Sequence, residues 1–202
     1  MKFRETPLAG AYHVEIEPNT DGRGFFARTW CANEFAEQGL SPAVAQTSIS
    51  RNERKGTVRG MHMQLPPSQE SKLVRCIRGA IHDVIIDMRP DSASYLCHYG
   101  VDLSARLHNA LYVPPLMAHG FQTLEDETEV LYQMSDFYAP DLGVGWRWND
   151  AAFGIRWPIT ESVTIAPRDA AYADFDAEAY GEGLRHASAA SKSKAMADGS
   201  RT

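Results

Sequence analysis

The chain is poor in the residues and patterns that mark several large classes of protein. It has 3 cysteines in 202 residues, Cys31, Cys76 and Cys97, widely spaced and with no CxxC. So sparse and odd a set excludes a disulfide scaffold and fits a reducing compartment. No run approaches the roughly 20 apolar residues of a membrane span. The opening "MKFRETPLAGAYHVEIEP" lacks the apolar centre of a secretory signal. A cytoplasmic protein with no membrane partner is therefore expected. Positive charge is not in excess, since 20 Lys and Arg stand against 26 Asp and Glu, giving a formal net charge of −6 and a pI near 5.6. That balance argues against a nucleic-acid partner, and no basic stretch is interleaved with aromatics. No GxGxxG, Walker A or GxSxG pattern occurs, and "GVGWRW" is too poor in glycine for a phosphate loop.

What remains is an ordinary globular composition, 44% hydrophobic and 23% charged, long enough for one domain with a sizeable core. Residues 1–180 read as that single domain. Beyond Tyr180 the chain turns to Ala, Ser and Lys without large apolar residues, so 181–202 is expected to be a mobile tail. Within the domain the periodicity is that of strands. "GAYHVEIEP" alternates through Tyr12, Val14 and Ile16, and "KLVRCIRG" and "AIHDVIIDMR" are two apolar runs meeting at Gly79. "NALYVPP" stops at its prolines, and "HGFQTL" and "EVLYQMSDFY" flank a turn at "EDET". One short helix is predicted over "EFAEQ", with Asn33 as N-cap and Gly39 closing it. Many short strands with frequent turns imply a β-sandwich or barrel, and a jelly roll fits.

The polar groups gather in "RGMHMQLPPSQESKLVRC", residues 59–76, which holds Arg59, His62, Gln64, Glu70, Lys72 and Arg75. Lys72 is in phase with Val74 and Cys76, so it either snorkels at a strand end or lies inside for a reason. Tyr132 is in phase with Val130 and Met134, on an inner face, where a tyrosine either satisfies its hydroxyl or does chemistry. His62 and His119 stand out among 7 histidines. The first sits among Arg59 and Gln64, and the second precedes Gly120, where backbone can approach closely. Each is equally readable as structural. His62, Glu70 and His119 could make a three-ligand metal set, but no HxH pair is present, which argues against one.

Taken in order, "DGRGFF" (21–26), "KGTVRGMHMQLPP" (55–67), "KLVRCIRGAIHDVIIDMR" (72–89), "AHGF" (118–121), Tyr132, "FYAP" (137–140), "GWRWND" (145–150), "IRWP" (155–158) and "RD" (168–169) carry a resemblance. The chain resembles the dTDP-4-dehydrorhamnose 3,5-epimerases over about residues 3–172. That resemblance implies a mainly β, cupin-type jelly roll (a double-stranded β-helix) with a few short helices. It implies epimerisation at C3 and/or C5 of a nucleotide-linked 4-keto-6-deoxy sugar through an enolate, with no cofactor and no metal. Both carbons flank the ketone, so each loses its hydrogen as a proton, and the reaction needs a base, an acid and a cation at the ketone oxygen. By similarity His62 is the base and Asp169 its carboxylate partner. Lys72 is the cation and Tyr132 the acid on the opposite face. Arg23, Arg28, Gln46, Ser48, Arg59, His119, Tyr138 and Arg168 are expected to hold the substrate, with Tyr138 stacking on the nucleotide base. His62 and Lys72 are expected on neighbouring strands. A homodimer is implied, with "GAYHVEIEP" adding a strand to the partner's sheet.

Four positions depart from the family pattern. Met63 replaces a tyrosine and Ser48 an asparagine, while Arg28 and Gly143 each stand where the family has an acid. A guanidinium only donates hydrogen bonds, so Arg28 points to a base other than thymine, in a CDP- or GDP-linked sugar. The alternatives that remain open are an epimerase of one centre or a ketoisomerase, a cupin that binds nucleotide sugar without turnover, and a metal-dependent cupin oxygenase or isomerase.

Overall fold

The computed structural model describes residues 1–187. The chain runs β1 (Lys2–Glu5), β2 (Tyr12–Glu15), a hairpin of β3 (Asn19–Asp21) and β4 (Gly24–Phe26), helix α1 (Ala32–Glu37), then β5 (Gln46–Asn52) and β6 (Thr57–Gln64). It continues with β7 (Lys72–Arg78), β8 (Ala80–Asp87), β9 (His98–Ser104), β10 (Ala110–Val113), β11 (Met117–Thr123) and β12 (Thr128–Met134). Two short strands, β13 (Gly143–Gly145) and β14 (Thr164–Ile165), and helix α2 (Pro167–Ala170) follow. One sheet has the order β1-β2-β10-β7-β12-β5 and the other β13-β6-β11-β8-β9, with β14 also on β6. The two sheets face each other as the mainly β jelly roll that the resemblance implies.

Alternation explains which side chains go where. Val74 and Cys76 of β7, Ile81 and Ile85 of β8, Phe121 of β11 and Val130 of β12 fill the space between the sheets. The opposite faces are covered as well. On the first sheet, Leu73, Ala110 and Tyr112 pack with Phe35 of α1. On the second, Met61, Met63, Val84 and Ile86 lie under Trp146, Phe153, Trp157 and Tyr180. This double coverage is why β7 and β8 read as nearly unbroken apolar runs.

Four expectations need correction. Helix α1 is capped at Cys31 rather than Asn33, with no side-chain cap; packing of Phe35 against Phe3, Trp30 and Tyr112 sets its start instead. Gly39 does close it, at φ +72. Strand β2 has β1 on one side and β10 on the other, so the free edges of that sheet are β1 and β5. Strands β6 and β7 follow one another in the chain but belong to opposite sheets. Lastly, residues 177–187 are helical, and Leu184 packs with Trp146 and Tyr180, so order continues beyond residue 180. The rest of the expected tail, 188–202, lies outside the described residues.

One irregularity matters for the site. Strand β11 pairs His119 with His62 and Phe121 with Arg59, so β6 spends three residues where β11 spends two. The extra residue is a bulge at Gly60, whose φ is +128. A Cβ at Gly60 would lie 2.4 Å from the Cα of Gly120, so only glycine fits there. The bulge turns Arg59 and His62 to the same side, which an unbroken strand forbids at odd spacing.

The loop after β8 is held by a buried carboxylate. Asp87 accepts from Arg89 Nε at 2.7 Å, Ser92 Oγ at 2.6 Å and Ser94 Oγ at 2.7 Å. Burial alone raises its pKa, but these bonds outweigh it and hold the group down to about 2, below the ordinary 3.8. A depressed carboxylate stabilises the fold above its unfolded pKa and loses that contribution as pH falls through the folded one. Asp87→Asn is expected to lose ~2 kcal/mol of stability at pH 7 and to flatten the loss between pH 4 and 2. Urea titrations of both proteins across that range check this; an equal acid slope in the two would refute it.

Candidate active site

At one end of the barrel the apolar interior gives way to two connected hollows. The outer, of about 500 Å³, is lined by Gln46, Ser48, His62, Glu70, Lys72, Tyr138, Gly143, Arg168, Asp169 and Tyr172, among others. The inner, of about 300 Å³, is lined by Ser50, Arg59, His62, Lys72, His119, Tyr132 and Asp169. His62, Lys72 and Asp169 border both. Ten of the twelve residues picked from the sequence thus converge here. Arg23 and Arg28 do not. Arg23 is tied to Asp21 at the exposed tip of the β3–β4 hairpin, at 2.6 Å, and Arg28 to Glu34 at 2.7 Å. The argument that Arg28 reads the nucleotide base therefore finds no support in this chain's own pocket.

His62 on β6 lies 2.9 Å through Nε2 from Asp169 Oδ1. A carboxylate accepts, so Nε2 carries the proton and Nδ1 keeps the lone pair. Burial lowers the pKa of the imidazole most, Asp169 opposes that, and Lys72 and His119 push it down further. A base that is neutral near pH 7 results. Lys72, on the facing sheet, is paired with Glu70 at 3.1 Å, both side chains being largely covered. Tyr132 lies across the inner hollow with its ring edge-on to His119 at 5.9 Å. Burial raises its pKa far above the ordinary value, with Asp83 adding and Arg59 opposing, so its hydroxyl is protonated. His119 Nε2 is 2.8 Å from Asp83 Oδ1, in a pair with almost no exposure. Arg59 donates to Asn52 Oδ1 at 2.7 Å.

Two glutamines act on the frame. Gln46 Oε1 accepts the N–H of Tyr138 at 2.7 Å, and Gln64 Oε1 that of Ala139 at 2.6 Å, so both glutamines hold the segment carrying the exposed Tyr138. The sequence reading missed Asp83 and Tyr172. Asp83 was findable: it is in phase with Ile81 and Ile85, and a carboxylate on an inner face needs a partner. Tyr172 had no such signal, since it follows a four-residue helix with no periodicity. The arrangement supplies a neutral base, a protonated acid and a cation within one cavity. It can remove a proton next to a ketone and return one from another side.

The His62 assignment makes a direct expectation. Its imidazole is expected to titrate below the ordinary 6.5, and Asp169→Asn to lower it again by removing a negative neighbour. Proton NMR of the ring over pH 4–8 reads both; a rise on Asp169→Asn would contradict the pairing.

Comparison with known proteins agrees with this geometry. A family model described as dTDP-4-dehydrorhamnose 3,5-epimerase matches residues 5–177. The chain is 40% identical over 171 residues to the dTDP-4-dehydrorhamnose 3,5-epimerase of Neisseria gonorrhoeae, covering 85% of this chain and 52% of that protein, about half its length. It is 38% identical over 171 residues to the enzyme of that name from Methanothermobacter thermautotrophicus, covering 84% of this chain and 91% of the relative. The crystal structure of dTDP-4-dehydrorhamnose 3,5-epimerase from Bacillus anthracis with TDP and PPi bound superimposes with a TM-score of 0.82 at 34% identity, over 86% of this chain and 99% of that one. With the fold, the paired histidines and these relatives in agreement, the chain belongs to the dTDP-4-dehydrorhamnose 3,5-epimerase family.

Proposed function

We propose that this chain epimerises C3 and C5 of a dTDP-linked 4-keto-6-deoxy sugar, without cofactor or metal. The observation that carries the reading is that His62, on one sheet, and Tyr132 and Lys72, on the other, line one cavity. His62 Nδ1 takes the proton next to the ketone, and Asp169 balances the imidazolium that forms. The Lys72 ammonium stabilises the enolate oxygen. The Tyr132 hydroxyl returns a proton to the other face of the carbon. His119 and Arg59 hold the sugar in the inner hollow. Ser48 and Arg168 lie where a diphosphate fits the outer one, and Tyr138 stacks on the base. The thymine base is proposed from the relatives' names, in place of the cytosine or guanine that Arg28 pointed to.

In the same reading the protein is a cytoplasmic homodimer. What supports a dimer is the β3–β4 hairpin, where Phe26 is 82% exposed and Arg23 and Phe25 are uncovered beside it. Exposed apolar clusters of this kind mark interaction sites. A second copy would let Arg23 and Arg28 reach a pocket they do not line in their own chain. Among the described residues no helix is long and apolar enough to cross a membrane. Residues 1–187 are proposed to act as one domain.

Incubation with the dTDP-linked 4-keto-6-deoxyglucose in D₂O tests the chemistry. Deuterium is expected at C3 and C5. His62→Ala is expected to slow entry at both by about 10²–10⁴-fold. Tyr132→Phe is expected to reduce inversion more than wash-in. Near-normal exchange in His62→Ala would remove the base assignment, and deuterium at one carbon only would make this an epimerase of one centre. For assembly, sedimentation at micromolar concentration is expected to give the mass of two chains; a monomer there would count against the dimer.

A further inference from the structure

Tyr172 belongs to none of the roles above, yet it touches most of them. Its ring lies edge-on to the His62 imidazole, with centroids 6.1 Å apart. Its hydroxyl and that of Tyr138 stand beside the Arg168 guanidinium, near enough to favour its charge. On its other side is a separate hollow of about 530 Å³, lined by Leu65, Val144, Trp146, Tyr180 and neighbouring residues. Tyr172 and Val144 border both this hollow and the outer substrate pocket, so the Tyr172 ring is part of the partition between them. The partition has a built seat. A Cβ at Gly145 would stand 2.4–2.6 Å from the Tyr172 ring and hydroxyl oxygen. Gly145 is directly opposite His62 on β6 and has no left-handed φ. Its lack of a side chain therefore serves the ring above it rather than the backbone.

We infer that Tyr172, seated on Gly145, is a positioning residue that walls one side of the reacting end of the pocket, covering one side of the half-exposed His62 imidazole and keeping Arg168 aimed inward. This rests on the proposed epimerase reading for its kinetic consequences, though its effect on His62 stands without it. Swinging the ring away would join two cavities of similar size and bring more water to the imidazole. The charged groups that act on His62, Asp169 on α2, Lys72 on β7 and His119 on β11, would stay the same, while Arg168 would lose one of its neighbours. Loss of burial would then be the main change, raising the imidazole toward its ordinary value. A base must be neutral, so the acid limb of kcat/KM would move to higher pH.

The test uses Tyr172→Phe, Tyr172→Ala, Gly145→Ala and the double variant in the full chain. Tyr172→Phe keeps the wall and loses the hydroxyl. It is expected to raise KM about threefold, with kcat within about twofold and the His62 titration unchanged. Tyr172→Ala and Gly145→Ala each remove the wall, one by deletion and one by displacement. Both are expected to raise the His62 midpoint in NMR, shift the acid limb upward and lower kcat by about tenfold. The double variant is expected to match Tyr172→Ala alone, because nothing is left for the new methyl to displace. An unchanged His62 titration in Tyr172→Ala, or additive losses in the double variant, would overturn the inference. If the wild type incorporates no deuterium, the epimerase reading fails, while the NMR titration still decides the wall.

Discussion

The site depends on how closely two backbones meet. Gly60 and Gly120 face each other across β6 and β11 with no room for a side chain on either. That contact lets β6 carry one extra residue against β11, and the extra residue decides which side chains look inward. Without the bulge Arg59 and His62 would point to opposite faces, one into the cavity and one into the Met61 and Trp146 layer. Register in a sheet is all or nothing, because a slip of one residue exchanges the two faces. Two adjacent glycine positions thus place the base and an arginine together.

The second constraint is the cost of putting charge inside a barrel. Buried carboxylates and imidazoles are tolerated only when paired, and removing one partner leaves the other exposed to the full desolvation penalty. Asp83 with His119 and Glu70 with Lys72 are two such pairs around one cavity, and the buried Asp169 is paired with the half-exposed His62. Each fixes the direction of a ring or ammonium as well as its charge. The remaining oxygen of Asp83 has no hydrogen-bond partner among the described residues, and the Asp83 charge adds to the burial that holds the Tyr132 hydroxyl protonated. The electrostatics thus separate a base from an acid using environment alone. The same low-dielectric interior that makes the pairs necessary disfavours the tyrosinate and so keeps the Tyr132 hydroxyl protonated.

The framework around the cavity is built to be rigid. The loop after β8 is held by the Asp87 cluster, and Arg89 reaches across to the carbonyl of Ala9 at 3.0 Å. Gln46 and Gln64 fix the segment bearing Tyr138 from two directions. Arg75, buried on the outer face of β7, has no acid beside it among the described residues; burial lowers its pKa to about 10, and it donates to the carbonyls of Thr29 and His108. It thereby ties the segment following the exposed hairpin to the sheet.

From the sequence by itself came the strand-rich class, the inner faces of β7 and β12, and ten of the residues that line the cavity. Those follow from local rules, since alternation tells which residues share a face and a motif keeps its spacing. The same alternation, applied to β8, would have exposed Asp83 between Ile81 and Ile85. Only the tertiary structure decided that His62 and Lys72 come from opposite sheets, that Arg59 turns inward beside His62, and that Tyr172 rests on Gly145. Each of these is a contact between segments distant in the chain or a change of register. Arg23 and Arg28 matched a motif and still lie outside this chain's pocket. A motif records which residues are present, whereas the reach of a side chain is set by the packing of the whole fold.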